Sequence, residues 1–392
     1  MTRRITRKVS LMDSTPWPRI VAALVGDISV AGGAKTKYAP LFNALSSQGT
    51  LVDTYDATLQ GWDRWQNAIR NFHPDWRRWR ERFYKNPWAF RRRSQRVVAQ
   101  VGRLHRRADV ILQLGVLFDA AWDKALLPVV IYTDYTAEFS ARKPAAGRSP
   151  LSPKQLAQWL VLERQSYHRA AQVCARSELV RDSLLNDYQV PPARVTVVGG
   201  GVNFHPLPPP QARDDGPPTI LFIGKEYYRK GADLLLVAFA HVRNTCPGAR
   251  LILVTNPPWP PETAPPGVEV VTPTWDRDAI AALYRQADLF VLPSRLETWG
   301  DVLLEAMSFG LPVVGVADDA MSEIIVDGVT GLLVPPEDDT TLAAALIRLC
   351  EDGALRRAWG ANGRERVLSH FRWSQVVDRL LPILARAVNP HP

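Results

Sequence analysis

Two α/β domains, each a parallel sheet with helices on both faces, are predicted for this chain of 392 residues. Apolar strand-like runs alternate with helix-length segments through both halves, the pattern that parallel β-α-β units leave in a sequence. Between the halves runs PLPPPQARDDGPP, with six prolines in thirteen residues. Such a stretch forms neither a helix nor a central strand and reads as a semi-rigid linker. The length leaves room for a separate core in each half.

In the first half the strand candidates are RIVAALVG, LVDTYDA, DVILQLGV, PVVIYTDY, QVCARS and RVTVVGGG. In the second they are TILFIGK, RLILVTN, VEVVTPT, LFVLPS, PVVGV and GLLVPP. The expected organisation is a first Rossmann-like domain over residues 1–203, a linker over 204–218 and a second such domain over 219–371. The last segment, 372–392, contains an amphipathic helix, FRWSQVVDRLLPILARA, expected to be interrupted at Pro382 and to cross back to the first domain. No internal repeat is present.

Composition excludes several classes. Hydrophobic residues make up 46% and charged residues 22% of the chain, ordinary values for a globular protein. No apolar run approaches the roughly 18 residues that span a bilayer. The start, MTRRITRKVSLMDSTPWPRI, is basic but lacks an apolar segment, so it is not expected to be a secretory signal. Cys174, Cys246 and Cys350 fit no metal or disulfide spacing, which makes a reducing cytoplasm the default. His73, His105, His168, His205, His241, His370 and His391 form no cluster, and no metal is implied. The net charge of +9 is unevenly spread. Up to Asn203, 31 Lys and Arg less 16 Asp and Glu give +15; from Phe204 onward, 17 less 23 give −6. The halves have different electrostatic jobs, or one of them carries a tail or patch with its own partner.

The stretch PSRLETWGDVLLEAMSFGLPVV carries the most chemistry. A buried strand ends at Pro293, and the chain enters a helix at Gly300 with Val302, Leu303, Ala306 and Met307 on its apolar side. The turn aims free backbone N–H groups and the positive end of the helix dipole at an anion. Glu305 lies about 7 Å along the helix from Gly300, at about 1.5 Å per residue. A phosphate at the helix start would leave Glu305 near an attached ribose and Glu297 near a group beyond the phosphates. Two glutamates at this spacing are usually solvated surface carboxylates. Here Glu297 stands at the carboxyl end of an apolar strand, where open α/β sheets bind ligands. Glu305 sits in an apolar stretch where an unpaired carboxylate is costly to bury. Together they outline a sugar-nucleotide site.

Two further loops fit it. In TILFIGKEYYRKGADLLLVAFAHV, Lys225 and Lys230 flank Arg229 at a strand's carboxyl end, bracketed by Gly224 and Gly231. Such lysines stabilise the charge that develops on a departing diphosphate; the plain alternative is a solvated basic loop. In VGDISVAGGAKTKYAPLFNAL, Gly32 and Gly33 allow close backbone approach to a phosphate or sugar. The glycine spacing of a dinucleotide fingerprint is missing.

These elements together resemble the retaining family-four glycosyltransferases of GT-B fold, the group 1 glycosyl transferases. The resemblance covers most of the chain and is strongest from Ile220 to Pro336. It rests on GGA at 32–34, GVN at 201–203, GKEYYRKG at 224–231, the Glu297–Glu305 stretch and DGVTGLLVPPED. It implies that Lys225 and Lys230 hold the donor diphosphate, Glu305 the ribose, and that Glu297 addresses the donor sugar. It further implies that the backbone at Trp299, Gly300 and Asp301 caps the phosphates, with the glycine loop at Gly32 and Gly33. Glu297, Lys230 and Asp134 are the catalytic candidates. Two departures stand out. Where the family carries a histidine after the strand VVIYT, this chain has Asp134 and Tyr135. The family's Asn-Gly-Val-Asp element is here Gly-Gly-Val-Asn at 200–203, a change expected to touch the linker and not the chemistry.

From Trp62 to Arg107 there are 14 basic residues against three acidic ones, and five of the 13 tryptophans. Phe72, Trp76, Trp79 and Phe83 recur at helical spacing, and such a stripe is more often core than membrane contact. Asn86 and Pro87 make a helix start, followed by Phe90, Val97, Val101 and Leu104 on one stripe. The arginine excess, Arg91, Arg92 and Arg93 included, suits an anionic membrane surface. No nucleic-acid module accompanies it.

The expected protein is a cytoplasmic glycosyltransferase, peripheral on the inner face of the membrane. It moves a sugar from a nucleotide diphosphate to a hydroxyl acceptor with retention, a lipid or polysaccharide precursor being one such acceptor. The nucleotide sugar is a co-substrate, and no cofactor is expected. The rivals are an epimerase or phosphorylase of the same fold and a non-catalytic sugar- or membrane-binding relative.

Overall fold

The twelve runs expected as strands are strands, and they divide between two sheets. The computed structural model describes residues 17–123, 125–143, 151–209, 216–256 and 265–389. The basic start of the chain, residues 210–215 of the expected linker and His391 lie outside the described residues.

The first half runs β1 (Ile20–Leu24), α1 (Gly33–Ser47), β2 (Leu51–Asp56), α2 (Gly61–Arg70), α3 (Trp76–Tyr84), α4 (Pro87–Leu104), β3 (Val110–Leu114), β4 (Val129–Thr133), α5 (Ala137–Ala141), α6 (Pro153–Arg169), β5 (Gln172–Ala175), α7 (Glu178–Asn186) and β6 (Val195–Val197). Its strands lie parallel in the order β2-β1-β3-β4-β5-β6. Every residue of β1, β3 and β4 is buried, as expected where helices cover both faces of a parallel sheet.

The second half runs β7 (Thr219–Ile223), α8 (Ala232–Thr245), β8 (Arg250–Val254), β9 (Val268–Val271), α9 (Arg277–Gln286), β10 (Leu289–Leu292), α10 (Asp301–Ser308), β11 (Val313–Val316), α11 (Met321–Ile324), β12 (Gly331–Val334), α12 (Asp339–Glu351), α13 (Gly353–His370) and α14 (Trp373–Val388). Its parallel order is β12-β11-β10-β7-β8-β9. The chain leaves β7 in one direction and returns to its other side as β10, so β7 and β10 form the switch point where open α/β sheets bind ligands.

Helix α14 returns to the first sheet. Val376, Val377, Leu380, Leu381 and Leu384 are buried in one cluster with Ile20, Leu112 and Val130. Pro382 lies inside this helix and does not interrupt it. A proline removes one helical hydrogen bond; here the buried apolar face holds the turns on either side together. At the start of the expected linker, Phe204 and Leu207 pack on the second core, with the Phe204 ring 5.0 Å from that of Phe309. All three cysteines are free thiols.

The tryptophan-bearing segment departs most from expectation. Helix α4 starts as expected, with Ala89 N donating to Asn86 Oδ1 at 2.8 Å, and buries Phe90, Val97, Val101 and Leu104. The aromatic stripe before it is not core: Phe72 is 69% and Trp76 64% exposed, and α3 has no buried residue. Polar bonds hold α2 and α3 in place instead. Asn67 Nδ2 donates to Phe83 O at 2.8 Å, Asn86 Nδ2 to Asn67 Oδ1 at 3.0 Å, and Trp79 Nε1 to Ala68 O at 3.1 Å. Arg93 belongs to this framework, only 1% exposed and donating to Tyr84 O at 2.8 Å. Arg92 pairs with Asp63 at 2.9 Å. Of the three consecutive arginines expected to face a membrane, Arg93 is therefore structural.

Candidate active site

The loops after β7 and β10 meet at the switch point. Lys230 Nζ, from the first, pairs with Glu297 Oε2, from the second. The approach needs a glycine at 231, whose φ is +75° and where a Cβ would stand 1.9 Å from Pro293 O. Arg295 N donates to Arg229 O at 2.9 Å and fixes the two loops together. Glu297 is further held by its backbone, which donates to Asp319 Oδ2 at 2.9 Å.

Lys225 lies over the Trp275 ring, 3.1 Å from its centroid. Burial holds its ammonium below the usual range, and the positive charge of Arg80 on α3 adds to the shift. A Cβ on Gly33 would come within 3.3 Å of the same indole, so the bare backbone of the first domain's glycine loop lets Trp275 approach across the cleft. Gly32 caps α1, and no side chain bonds the helix start.

Helix α10 begins at Gly300, with φ 104°, and again no side chain caps it. Its first residue, Asp301, pairs with Arg176 from the end of β5. The Arg176 guanidinium lies 5.2 Å from the Trp299 ring centroid and 5.7 Å from that of Trp373. Burial works against this cation and is the largest single influence, but Asp301, Tyr132 and Asp134 together outweigh it and the net shift is upward. Trp299 itself is buried, and its Nε1 has no partner.

Glu305 is buried, as expected, but already partnered. Arg277 donates to Oε1 and Tyr284 to Oε2, each at 3.0 Å. Burial raises the Glu305 carboxyl above its ordinary range, and the Arg277 charge pulls it back. Arg277 also donates to Asn203 O at 3.3 Å, and Trp373 Nε1 donates to Asn203 Oδ1 at 3.3 Å. The Gly-Gly-Val-Asn element is thus wired to the partner of Glu305, closer to the site than expected.

Asp134, after β4, pairs with Lys37 of α1. Lys143 reaches across to Asp318 and Asp319, each at 2.6 Å. Glu323 caps α7, accepting from Glu178 N at 2.9 Å and Leu179 N at 3.1 Å. The structure therefore brings Lys225, Lys230, Glu297, Gly300, Asp301 and Glu305 to one end of the second sheet, with Gly33 facing them. Trp275, Arg277, Arg176 and Asp319 were missed. Trp275 and Arg277 stand in TPTWDRD directly after a strand, and that position was the available signal. Asp319 carries none, since its φ of +56° shows only in the fold. Among the described residues no group of three or more His, Cys, Asp or Glu is placed to hold a metal, and no helix is long and apolar enough to cross a membrane.

Two facing parallel-sheet domains carry a lysine–glutamate pair at the switch point, and comparison with known proteins gives the class and the family. Residues 31–205 match the model of Glycosyltransferase Family 4, and residues 203–366 that of Glycosyl transferases group 1. The D-inositol 3-phosphate glycosyltransferase of Kineococcus radiotolerans is 30% identical over 310 residues, covering 71% of this chain and 69% of the relative. That of Salinispora tropica is 30% identical over 309 residues, and the match spans 71% of this chain and 62% of that relative's length. Sucrose-phosphate synthase from Thermosynechococcus elongatus superposes with a TM-score of 0.72 at 21% identity, covering 95% of this chain and 100% of the other. Anabaena HepE, solved with UDP and glucose, superposes with a TM-score of 0.63 at 15% identity, covering 94% and 99%. The structural likenesses carry the fold. The chain belongs to the family-four, group 1 glycosyltransferases.

Proposed function

We propose that this enzyme transfers a sugar from a nucleoside diphosphate to a hydroxyl acceptor with retention of configuration and without a metal. One observation carries the reading: Lys225, the Lys230–Glu297 pair and the uncapped start of α10 converge at the β7/β10 switch point. Two cations and a helix dipole there would stabilise a departing diphosphate. Incubation with UDP-, GDP- and ADP-sugars, with acceptor and with or without EDTA, tests it. Nucleoside diphosphate should appear with one donor, unaffected by the chelator, and the anomeric form of the product should match the donor. Phosphate-dependent cleavage of the sugar product would favour a phosphorylase, and an epimerised donor an epimerase.

Within this reading Glu305 positions the ribose and Glu297 acts on the donor sugar. Glu305→Gln should weaken binding of the free nucleoside diphosphate, because it also releases Arg277 and Tyr284. Glu297→Gln should lower turnover and spare that affinity. Asp134→Asn should reduce transfer to the acceptor while leaving donor hydrolysis intact. Calorimetry and rate assays on the three variants decide, and equal losses in affinity for both glutamates would collapse the distinction.

The enzyme is further proposed to act at an anionic membrane surface from the cytoplasmic side. Trp62, Trp65, Ile69, Phe72 and Trp76 are exposed beside the arginines of α3. Each basic residue near such a surface contributes roughly 1 kcal/mol. Binding to phosphatidylserine vesicles should weaken in salt, because the Debye length shrinks to about 3 Å at molar ionic strength. The informative variant is Arg77→Gln with Arg78→Gln and Trp62→Ala, since Arg93 is needed for the fold. Absence of vesicle binding at low salt would sink the membrane part and leave a soluble acceptor.

A further inference from the structure

Helices α2 and α3 flank an open cavity of about 490 Å³ lined by Trp65, Ala68, Trp76, Trp79, Phe83 and Tyr84, with Arg64 and Arg80 as its charged side chains. That volume lies in the range of about 300–1,000 Å³ typical of small-molecule sites. The walls are unusual for space between two helices, because bulky rings leave the gap open instead of filling it. Trp76 and Trp79 stand 4.9 Å apart with planes tilted by 48°, and Trp79 and Phe83 6.1 Å apart. The frame behind them is fixed: Trp79 is bonded to α2, and Asn67, Asn86 and Arg93 tie both helices to α4. No carboxylate pairs with Arg64 or Arg80 among the described residues.

The cavity also has a direction. Trp62, Trp65 and Ile69 form one exposed stripe of α2, and Trp65 belongs to both stripe and cavity. At the other end of α3, Lys85 donates to the Tyr135 hydroxyl at 2.9 Å, which places that end beside Asp134 and the carboxyl edge of the first sheet. The positive charge of Arg80 also bears on Lys225 and disfavours its ammonium.

We propose that this cavity is an acceptor subsite for an apolar chain bearing a phosphate, with Trp65, Trp76, Trp79 and Phe83 holding the chain and Arg64 and Arg80 the phosphate. The assignment as acceptor rests on the glycosyl-transfer reading above. Charge complementarity selects the anion, the ring-lined walls select an apolar chain over a sugar, and the exposed stripe gives that chain a path from a lipid phase.

Equilibrium dialysis of the full chain with radiolabelled farnesyl phosphate tests it, with farnesol and inorganic phosphate as separate competitors. Farnesyl phosphate should bind at least about tenfold more tightly than either, since only it satisfies both the arginines and the rings. Arg80→Gln and Trp65→Ala should each weaken it about tenfold, these being exposed side chains whose loss leaves the melting temperature unchanged. Equal binding of farnesol would show a merely greasy surface, and equal binding of inorganic phosphate a merely basic one. Either result, or wild-type affinity in both variants, overturns the proposal. Thermal shift with nucleoside diphosphates, run alongside, separates the two readings. A normal nucleotide shift without farnesyl phosphate binding removes the subsite and leaves the transferase. Farnesyl phosphate binding without any nucleotide shift or donor cleavage removes the acceptor role.

Discussion

Lys230→Ala should lower the rate of nucleoside diphosphate release about a hundredfold or more, the scale of losing one charge-stabilising group from a preorganised site. The expectation follows from what its ammonium does in the resting site. It is paired with Glu297, a carboxylate only 7% exposed, so the alanine variant loses a cation and also leaves a buried anion where a diphosphate is to bind. Breaking a buried pair from one side costs about 3–5 kcal/mol, more than the pair itself contributes. The double variant Lys230→Ala, Glu297→Gln should therefore recover nucleotide affinity without recovering turnover. Lys225→Ala should fall less far, because Trp275 and Arg80 keep that side of the cleft occupied and positive. Single-turnover rates and nucleotide titrations on the three variants decide. Wild-type rates in both single lysine variants would mean that the donor diphosphate lies elsewhere.

The fold was legible because it is written in local patterns. A parallel strand covered on both faces needs four or five consecutive apolar residues, and IVAAL or LFVL can hardly serve otherwise. The loops that follow these strands were legible for the same reason, since ligands gather where such strands end. What escaped depends on long-range placement. Glu305 was recognised as costly to bury, yet its partners Arg277 and Tyr284 come from another helix, and no spacing rule connects them. Arg91, Arg92 and Arg93 are alike in sequence, and only the tertiary position of α4 puts the third against Tyr84 O and Leu117 O. The tryptophans of α2 and α3 show the limit of periodicity. A stripe at helical spacing looks the same whether it meets a core or solvent, and here polar anchors at Asn67 and Asn86 allow it to stay exposed.

Gly231→Ala should be the most damaging of the glycine substitutions near the site. The new Cβ would stand 1.9 Å from Pro293 O and 2.8 Å from Pro293 C, both backbone atoms that no side-chain rotation can move aside. Its φ of +75° adds the ordinary penalty of a side chain in the left-handed region, about 1–2 kcal/mol. The loop after β7 would have to lift off the exit of β10, and several contacts lie in that seam. Among them are the Arg295 N bond to Arg229 O at 2.9 Å, the Arg229 bond to Leu296 O at 2.9 Å, the Ser294 hydroxyl bond to Arg229 O at 3.3 Å, and the Lys230–Glu297 pair. Loss of about 3 kcal/mol or more is expected, which places the substitution in the severe tail of single mutations. For a domain of this size that lowers the melting temperature by roughly 10 °C. Gly328→Ala is the matched control, with φ +69° but no atom within 4 Å of the added Cβ. It carries the backbone penalty alone and should cost about 1 kcal/mol with donor cleavage unchanged. Thermal melts and donor-cleavage rates on both variants distinguish the two effects. If Gly231→Ala and Gly328→Ala lose the same stability and both keep activity, close approach of the two loops is not what joins Lys230 to Glu297. If Gly231→Ala folds with a lowered melting temperature and loses turnover as far as Lys230→Ala does, the glycine is what brings the two charges together.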